Sequence, residues 1–258
     1  MTASSRITFL GSGTCVPSLV RNPCAFLMQT GSQNLLFDCG AGVMRRLLEI
    51  GVSIFEITHI FLSHFHPDHS GELAAFLFAL KYPAPHPRRR PLTLVAGRGL
   101  LAFFDRLEGV YGDWIVLPPE HFRRIELDTA QADSYAFDKF TVTSMPVDHR
   151  PESLAYRVVD SAGKSLVYSG DTDVCDSLAT IAADADLMIC ESAFPDGQKV
   201  KGHLTPSGAG RIAQAAGVKQ LVLTHFYPAC DQHDIAKQCR STYDGKVLLA
   251  QDLMTLTL

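Results

Sequence analysis

No apolar stretch in this chain approaches the roughly eighteen uncharged residues that a membrane-spanning helix needs, so a helical membrane protein is excluded. The seven cysteines are odd in number and lack a Cys-x-x-Cys pair. That pattern argues against a disulfide framework and for scattered thiols in a reducing cytoplasm. The start, Met1-Thr2-Ala3-Ser4-Ser5-Arg6, is not read as a signal peptide. Low-complexity tracts and internal repeats are absent. Charged residues make up only 19% and the net charge is −4, which gives no general attraction to nucleic acid. What remains is a chain of 258 residues, 47% of them apolar. That is enough for one large α/β domain, residues 1–258, with a sizeable core.

Against this background the run Ser63-His64-Phe65-His66-Pro67-Asp68-His69 stands out. It packs three imidazoles and a carboxylate into six residues, and core packing asks for none of them. These are donors for a divalent cation of the zinc or manganese type. Thr58-His59-Ile60-Phe61-Leu62 before it reads as a short buried strand, and Leu73 to Leu80 after it as a helix opened by Ser70-Gly71-Glu72. His64 and His66, two apart, point the same way from an extended segment. Asp68 and His69 follow where the chain turns and can face a second point. Four donors aimed at two points suggest two metals.

Each metal then needs further ligands. Three later apolar runs end on suitable side chains: Phe140 to Val147 on Asp148-His149, Ser165 to Gly170 on Asp171, and Gln220 to Thr224 on His225. Strand carboxyl ends are where α/β folds collect functional groups. Each is weak alone; their order and shared context make the set strong.

The series His-x-His-x-Asp-His, His, Asp after Ser-Gly, and His resembles the metallo-β-lactamase fold superfamily. Leu10 to Pro17 with Arg21-Asn22, and Leu36-Phe37-Asp38-Cys39-Gly40, are similar to its RNase Z-like branch. The resemblance runs from about Ile7 to about Asp252 and implies a four-layer αββα sandwich, two sheets face to face with helices outside. It also implies two divalent ions, zinc favoured, with manganese and iron as alternatives. His64, His66 and His149 would hold one; Asp68, His69 and His225 would hold the other; Asp171 would bridge them. Asp38 would orient a ligand rather than bind metal. The branch further implies a couple beside the metals, His203 in Gly202-His203-Leu204-Thr205 and Glu191 in Cys190-Glu191-Ser192. There His203 would protonate the leaving oxygen and Glu191 would hold the ring charged and oriented. Thr205-Pro206 also reads as an N-cap and first-turn pair for a helix from Ser207 to Ala216, closed by Gly217; both readings hold together.

Two divalent ions, offset by Asp68 and Asp171, leave a positive surplus that suits an anionic substrate, and a metal-bridged hydroxide would be the nucleophile. Phosphodiester hydrolysis is the natural reaction, with RNA cleavage of the tRNA 3′-processing kind, or carboxylic and thioester hydrolysis, as alternatives. The tRNA-processing enzymes carry a long arm between the third and fourth ligand motifs. Here His149 and Asp171 are only 22 positions apart, room for a hairpin over Leu154–Asp160, a turn at 161–164 and Ser165–Ser169. This favours a small or cyclic nucleotide-like phosphodiester over tRNA. Arg88-Arg89-Arg90 form a basic segment, read as a solvated connector or, by analogy, as a substrate clamp near the mouth of the site. The resemblance implies a homodimer. Cys15, Cys39 and Cys190 near the site loops read as buried thiols.

Overall fold

The computed structural model describes residues 4–81 and 90–258. Its strands are β1 Arg6–Gly11, β2 Ala25–Thr30, β3 Gln33–Phe37, β4 His59–Phe61, β5 Leu92–Gly97, β6 Phe122–Leu127, β7 Asp133–Ala136, β8 Phe140–Pro146, β9 Leu154–Asp160, β10 Ser165–Tyr168, β11 Leu187–Glu191, β12 Gln220–Thr224, β13 Lys246–Leu249 and β14 Thr255–Thr257. Its helices are α1 Val43–Glu49, α2 Pro67–Ser70, α3 Leu73–Lys81, α4 Leu100–Tyr111, α5 Asp176–Ile181, α6 Pro206–Ala215 and α7 Ile235–Arg240. One sheet has the order β14-β1-β2-β3-β4-β5-β6 and the other β13-β12-β11-β10-β9-β8-β7. The chain order thus fills one sheet and then the other, and only β14 returns to the first.

Three apolar clusters make the layers. One packs α1, α3 and α4 on the outer face of the first sheet. A second packs α5, α6 and α7 on the outer face of the other. The third lies between the sheets. This is the four-layer αββα sandwich expected from the sequence. The inner strands read as continuous apolar runs because both faces are covered: β2, β5, β10, β11 and β12 are buried along nearly their whole length.

Aromatic rings organise the interior beneath the site. Register places Phe26 opposite Phe37 and Phe37 opposite Phe61, and the rings stack at 4.6 and 4.9 Å. Tyr156 and Tyr168 of the facing sheet meet Phe37 edge-on at 6.2 and 6.1 Å. Each such pair contributes about 0.5–1.5 kcal/mol beyond its buried area. The two phenols are buried but not orphaned. Tyr156 donates to the Leu62 carbonyl at 2.7 Å, and Tyr168 donates to Asp38 at 2.6 Å. The core is therefore hydrogen-bonded to the loops that carry the site.

The helix expected at Leu73 to Leu80 is α3, and a separate one-turn helix precedes it. Pro67 opens α2, a single turn holding Asp68 and His69, and Gly71-Glu72 separates it from α3. The Cys39 amide donates to the His69 carbonyl at 2.7 Å and the Glu72 amide to the Cys39 carbonyl at 2.9 Å, so the loop after β3 clamps the turn. Gly40 makes this approach possible, since a Cβ there would stand 1.9 Å from the Asp68 carbonyl oxygen and 2.9 Å from Pro23 Cβ. Gly40→Ala is expected to destabilise by about 1–3 kcal/mol as an overpacked site and to weaken metal binding by displacing Asp68. Gly109→Ala, on α4 with nothing near its Cβ, should instead gain about 0.5–1 kcal/mol. Thermal unfolding with and without added zinc separates the two; equal midpoints would show that the loop has slack.

Among the described residues no helix is long and apolar enough to cross a membrane. The interval from His149 to Asp171 is a plain antiparallel hairpin of β9 and β10.

Candidate metal centre

The C-terminal ends of β3, β4, β8, β10, β11 and β12 open on one face of the molecule, the edge at which ligands collect in α/β sheets. Asp38 follows β3, His64 and His66 follow β4, and Asp68 and His69 lie on α2. His149 follows β8, Asp171 follows β10, Glu191 ends β11 and His225 follows β12. Asp38 and His225 both hold positive φ, 61° in each case. Non-glycine residues in that region cost of order 1–3 kcal/mol and cluster where geometry is functionally constrained.

Donor atoms converge in three groups: His64, His66, His149 and Asp171; Asp68, His69 and His225; and Asp171, His203 and His225. The first two hold the residues expected as ligands, and the third joins His203 to them. Asp171 faces both of the first two. Its Oδ2 lies 3.8 Å from His64 Nε2 and 3.9 Å from His149 Nε2. Its Oδ1 lies 3.3 Å from His69 Nε2 and 3.4 Å from His225 Nε2. Asp68 Oδ2 is 3.7 Å from His225 Nε2 and 3.8 Å from His69 Nε2.

The outer hydrogen bonds fix which nitrogen of each ring faces inward. His69 donates Nδ1–H to Asp38 at 2.8 Å, and His149 donates Nδ1–H to the Gly202 carbonyl at 2.8 Å. Ser63 Oγ donates to Asp38 at 2.9 Å and stands 3.0 Å from His64 Nδ1, from which it can accept. Nε2 therefore faces the centre from His64, His69 and His149. His66 presents Nδ1 instead, 3.3 Å from His149 Nε2. His69 and His225 likewise face each other through Nε2 at 3.3 Å. Opposed lone pairs repel unless a cation or a proton lies between them. His64 Nε2 and Asp171 Oδ1 are buried without a hydrogen-bond partner among the described residues. This donor set fits a divalent metal ion.

Electrostatics agrees. Burial, helped by neighbouring rings, keeps His64 well below its ordinary range and lowers His66 and His149 as well; neutral imidazole is the form that binds metal. Burial opposes charge on His69, yet the Asp171 and Asp38 carboxylates hold its pKa well above the usual value. Burial also opposes charge on Asp171, but His225 and His69 hold it well below the carboxylate range. The buried carboxylates demand positive charge, and a metal ion would supply it.

Asp38 is saturated by donors. Besides His69 and Ser63 Oγ it accepts the Ser63 amide at 2.7 Å and the Tyr168 hydroxyl at 2.6 Å. Ser63, Tyr168 and Gly202 were not singled out by the sequence. Ser63 adjoins the metal run, but Tyr168 sits inside an apolar strand and looks like any core aromatic.

His203 lies beside the cluster, its ring parallel to that of His225 with centroids 5.7 Å apart. Its Nδ1 donates to Glu191 Oε1 at 3.0 Å. Burial works against charge on this ring, but Glu191 raises its pKa above the ordinary value. Glu191 is buried and also accepts three backbone amides, Thr172 at 2.8 Å and Ala193 and Leu204 at 3.1 Å. Burial raises the pKa of Glu191, and the His203 hydrogen bond works against that rise; the three amide donors likewise favour the ionised carboxylate. Thr205 caps α6 through the Gly208 amide, so the helix start fixes the loop that carries His203.

The basic segment is a different matter. Arg88 and Arg89 lie outside the described residues. Arg90 is exposed and donates to the Ser32 carbonyl at 2.8 Å, three residues before Thr93, which pairs with His59 at the start of β4. The metal loop leaves the other end of that strand, so Arg90 is not at the mouth of the site. For Arg90 the analogy fails because β5 begins at the amino end of the parallel strands, with Thr93 opposite His59. Arg123 and Arg124 pair with that same end of β5, where Arg123 covers Tyr135 and Arg124 covers Phe104. All seven cysteines are free; Cys39 and Cys190 are buried, but Cys15 is exposed, because its loop crosses the surface beside Tyr227.

The model of the beta-lactamase superfamily domain matches residues 33–226. Ribonuclease Z of Haloferax volcanii is 27% identical over 304 residues, covering 96% of this chain and 93% of its own. Among solved structures, the metallo-beta-lactamase fold protein YhfI from Bacillus subtilis superposes with a TM-score of 0.84 at 25% identity, over 99% of this chain and 100% of that one. Human tRNase Z, short form, superposes with a TM-score of 0.78 at 28% identity, over 97% and 98%. The matched family, the layered fold and the His and Asp cluster agree: the chain belongs to the beta-lactamase superfamily, in its RNase Z-like, metallo-β-lactamase-fold branch, and is a metal-dependent hydrolase.

Proposed function

We propose that this protein hydrolyses a phosphodiester, with a small or cyclic nucleotide-like substrate. The reading places one divalent ion on His64, His66 and His149 and a second on Asp68, His69 and His225, with Asp171 between them. Zinc is the favoured metal, ahead of manganese and iron. The observation that supports two ions is the division of Asp171, Oδ2 toward one group and Oδ1 toward the other. Bound ions would supply Lewis-acid chemistry, polarising a phosphoryl group and drawing the pKa of water toward neutrality. The neutral histidines leave that charge intact, and Asp68 and Asp171 offset only part of it. The site is therefore suited to an anionic ester. Glu191 takes the Nδ1 side of His203, which leaves Nε2 to hold a proton for the leaving oxygen.

A second reading, cleavage of RNA, draws on the relatives named ribonuclease Z and on human tRNase Z. Three features weigh against it. The His149–Asp171 interval is only the β9–β10 hairpin. The alignment with the Haloferax protein spans 304 residues while this chain has 258, so that relative carries residues with no counterpart here. Arg90, Arg123 and Arg124 gather at the far end of the sheet rather than around the metals. The homodimer implied by the resemblance and the cytoplasmic location read from the scattered thiols remain part of the proposal.

Hydrolysis of bis(p-nitrophenyl) phosphate by zinc- or manganese-reconstituted protein, with Asp68→Ala as control, tests the reading. Metal-dependent turnover lost in the control is expected. No turnover by protein carrying two ions would move the assignment to carboxylic or thioester substrates.

A further inference from the structure

Two half-buried aromatic rings stand at the mouth of the site and serve no core. Phe194 and Tyr227 stack at 4.4 Å with planes 16° apart. They follow Glu191 and His225 by three and two residues, so neighbouring parallel strands deliver them to the same edge, where the Tyr227 amide donates to the Ala193 carbonyl at 3.1 Å. Neither belongs to any of the three apolar clusters. Their centroids lie 6.2 and 6.3 Å from that of His203, with both rings steeply inclined to it, and Tyr227 is 6.1 Å from His225. Val16, Val174 and Val200 are exposed. Val16 follows Cys15, whose sulfur is 3.6 Å from the Tyr227 hydroxyl. Val174 and Val200 flank the Lys199–Asp173 ion pair, 2.7 Å long.

A pair of rings fixed as packing belongs inside a cluster, away from solvent. A pair left part-exposed beside the group that would handle the phosphate offers a flat face to a planar ring. A ring resting there would lie beside a phosphoryl group at His203, whose ring centroid is 6.2 and 6.3 Å from those of Phe194 and Tyr227. We propose that Phe194 and Tyr227 form a stacking platform for a nucleobase, so that the substrate is a nucleotide ester recognised through its base as well as its phosphate. This rests on the phosphodiesterase reading and narrows it. Stacking is sequence-tolerant and needs no hydrogen-bond code.

The test measures binding rather than turnover. Calorimetry on the zinc-loaded protein compares adenosine 5′-monophosphate with ribose 5-phosphate, which has the same phosphate and sugar but no base. The nucleotide should bind about tenfold tighter or more, the range for one base on an aromatic face. Tyr227→Leu and Phe194→Leu should each erase most of that ratio, while Trp114→Leu, at an exposed aromatic on another surface, should preserve it. Equal affinities in the wild type would overturn the platform, as would a ratio that survives both substitutions. Using two platform variants keeps the test decisive if one fails to fold. Bis(p-nitrophenyl) phosphate hydrolysis on the same preparations reports separately: its absence would sink the phosphodiesterase reading without altering the affinity ratio.

Discussion

Asp171→Ala is expected to leave fewer than two metal ions per chain and to reduce phosphodiester turnover by well over 100-fold. The carboxylate is buried, and its two oxygens divide between four imidazole nitrogens at 3.3–3.9 Å. Removing it withdraws the charge that compensates a second cation and the group that sets the spacing of the two. Loss of an outer hydrogen-bond partner of a metal ligand typically costs about 10–100-fold in affinity or activity, so loss of a shared ligand should cost more. Asp171→Asn keeps the shape and removes the charge, and should fall between the two. Elemental analysis of extensively dialysed protein reads the stoichiometry directly. Two full equivalents in the alanine variant would mean that Asp171 does not bridge.

His203→Ala should keep both ions yet slow an alkyl phosphodiester by about 10²–10⁴, the usual range for a positioned general acid, and slow a p-nitrophenyl ester far less. A good leaving group departs without a proton; an alkoxide does not. The pH dependence has a defined sign. Glu191 raises the pKa of His203, so the acid form is fully present below the ordinary imidazole value and is lost as pH rises through the raised one. For the alkyl ester, kcat should therefore fall on the alkaline side, and Glu191→Gln should move that limb to lower pH. Equal slowing of both esters by His203→Ala would remove proton donation from the account.

The ligand run was legible because chemistry and spacing coincide. No packing demand explains three histidines and an aspartate from His64 to His69, and the apolar runs ending at His149, Asp171 and His225 are strand signals closed by a donor. The alternation of runs and turns indicated an α/β domain, and the resemblance to the metallo-β-lactamase fold implied its four layers. Arg90 was misplaced for an equally physical reason: β5 begins at the amino edge of the sheet, and nothing local in a Pro- and Arg-rich segment records which edge it meets. Tyr168 and Ser63 went unremarked because a tyrosine in an apolar strand and a serine before histidine carry no signal of their own; both matter only through Asp38.

The sequence by itself determined the donors, their order and the strand ends that bear them, because those depend on residue type and short-range period. Tertiary structure alone decided which donors meet, that Asp171 turns one oxygen to each group, and that Gly202 presents its carbonyl to His149. It alone brought Phe194 and Tyr227 together, from positions far apart in the chain, beside His203. These are contacts between strands that the sheet order makes adjacent, and sheet order is fixed by packing over the whole core rather than by any neighbouring residues.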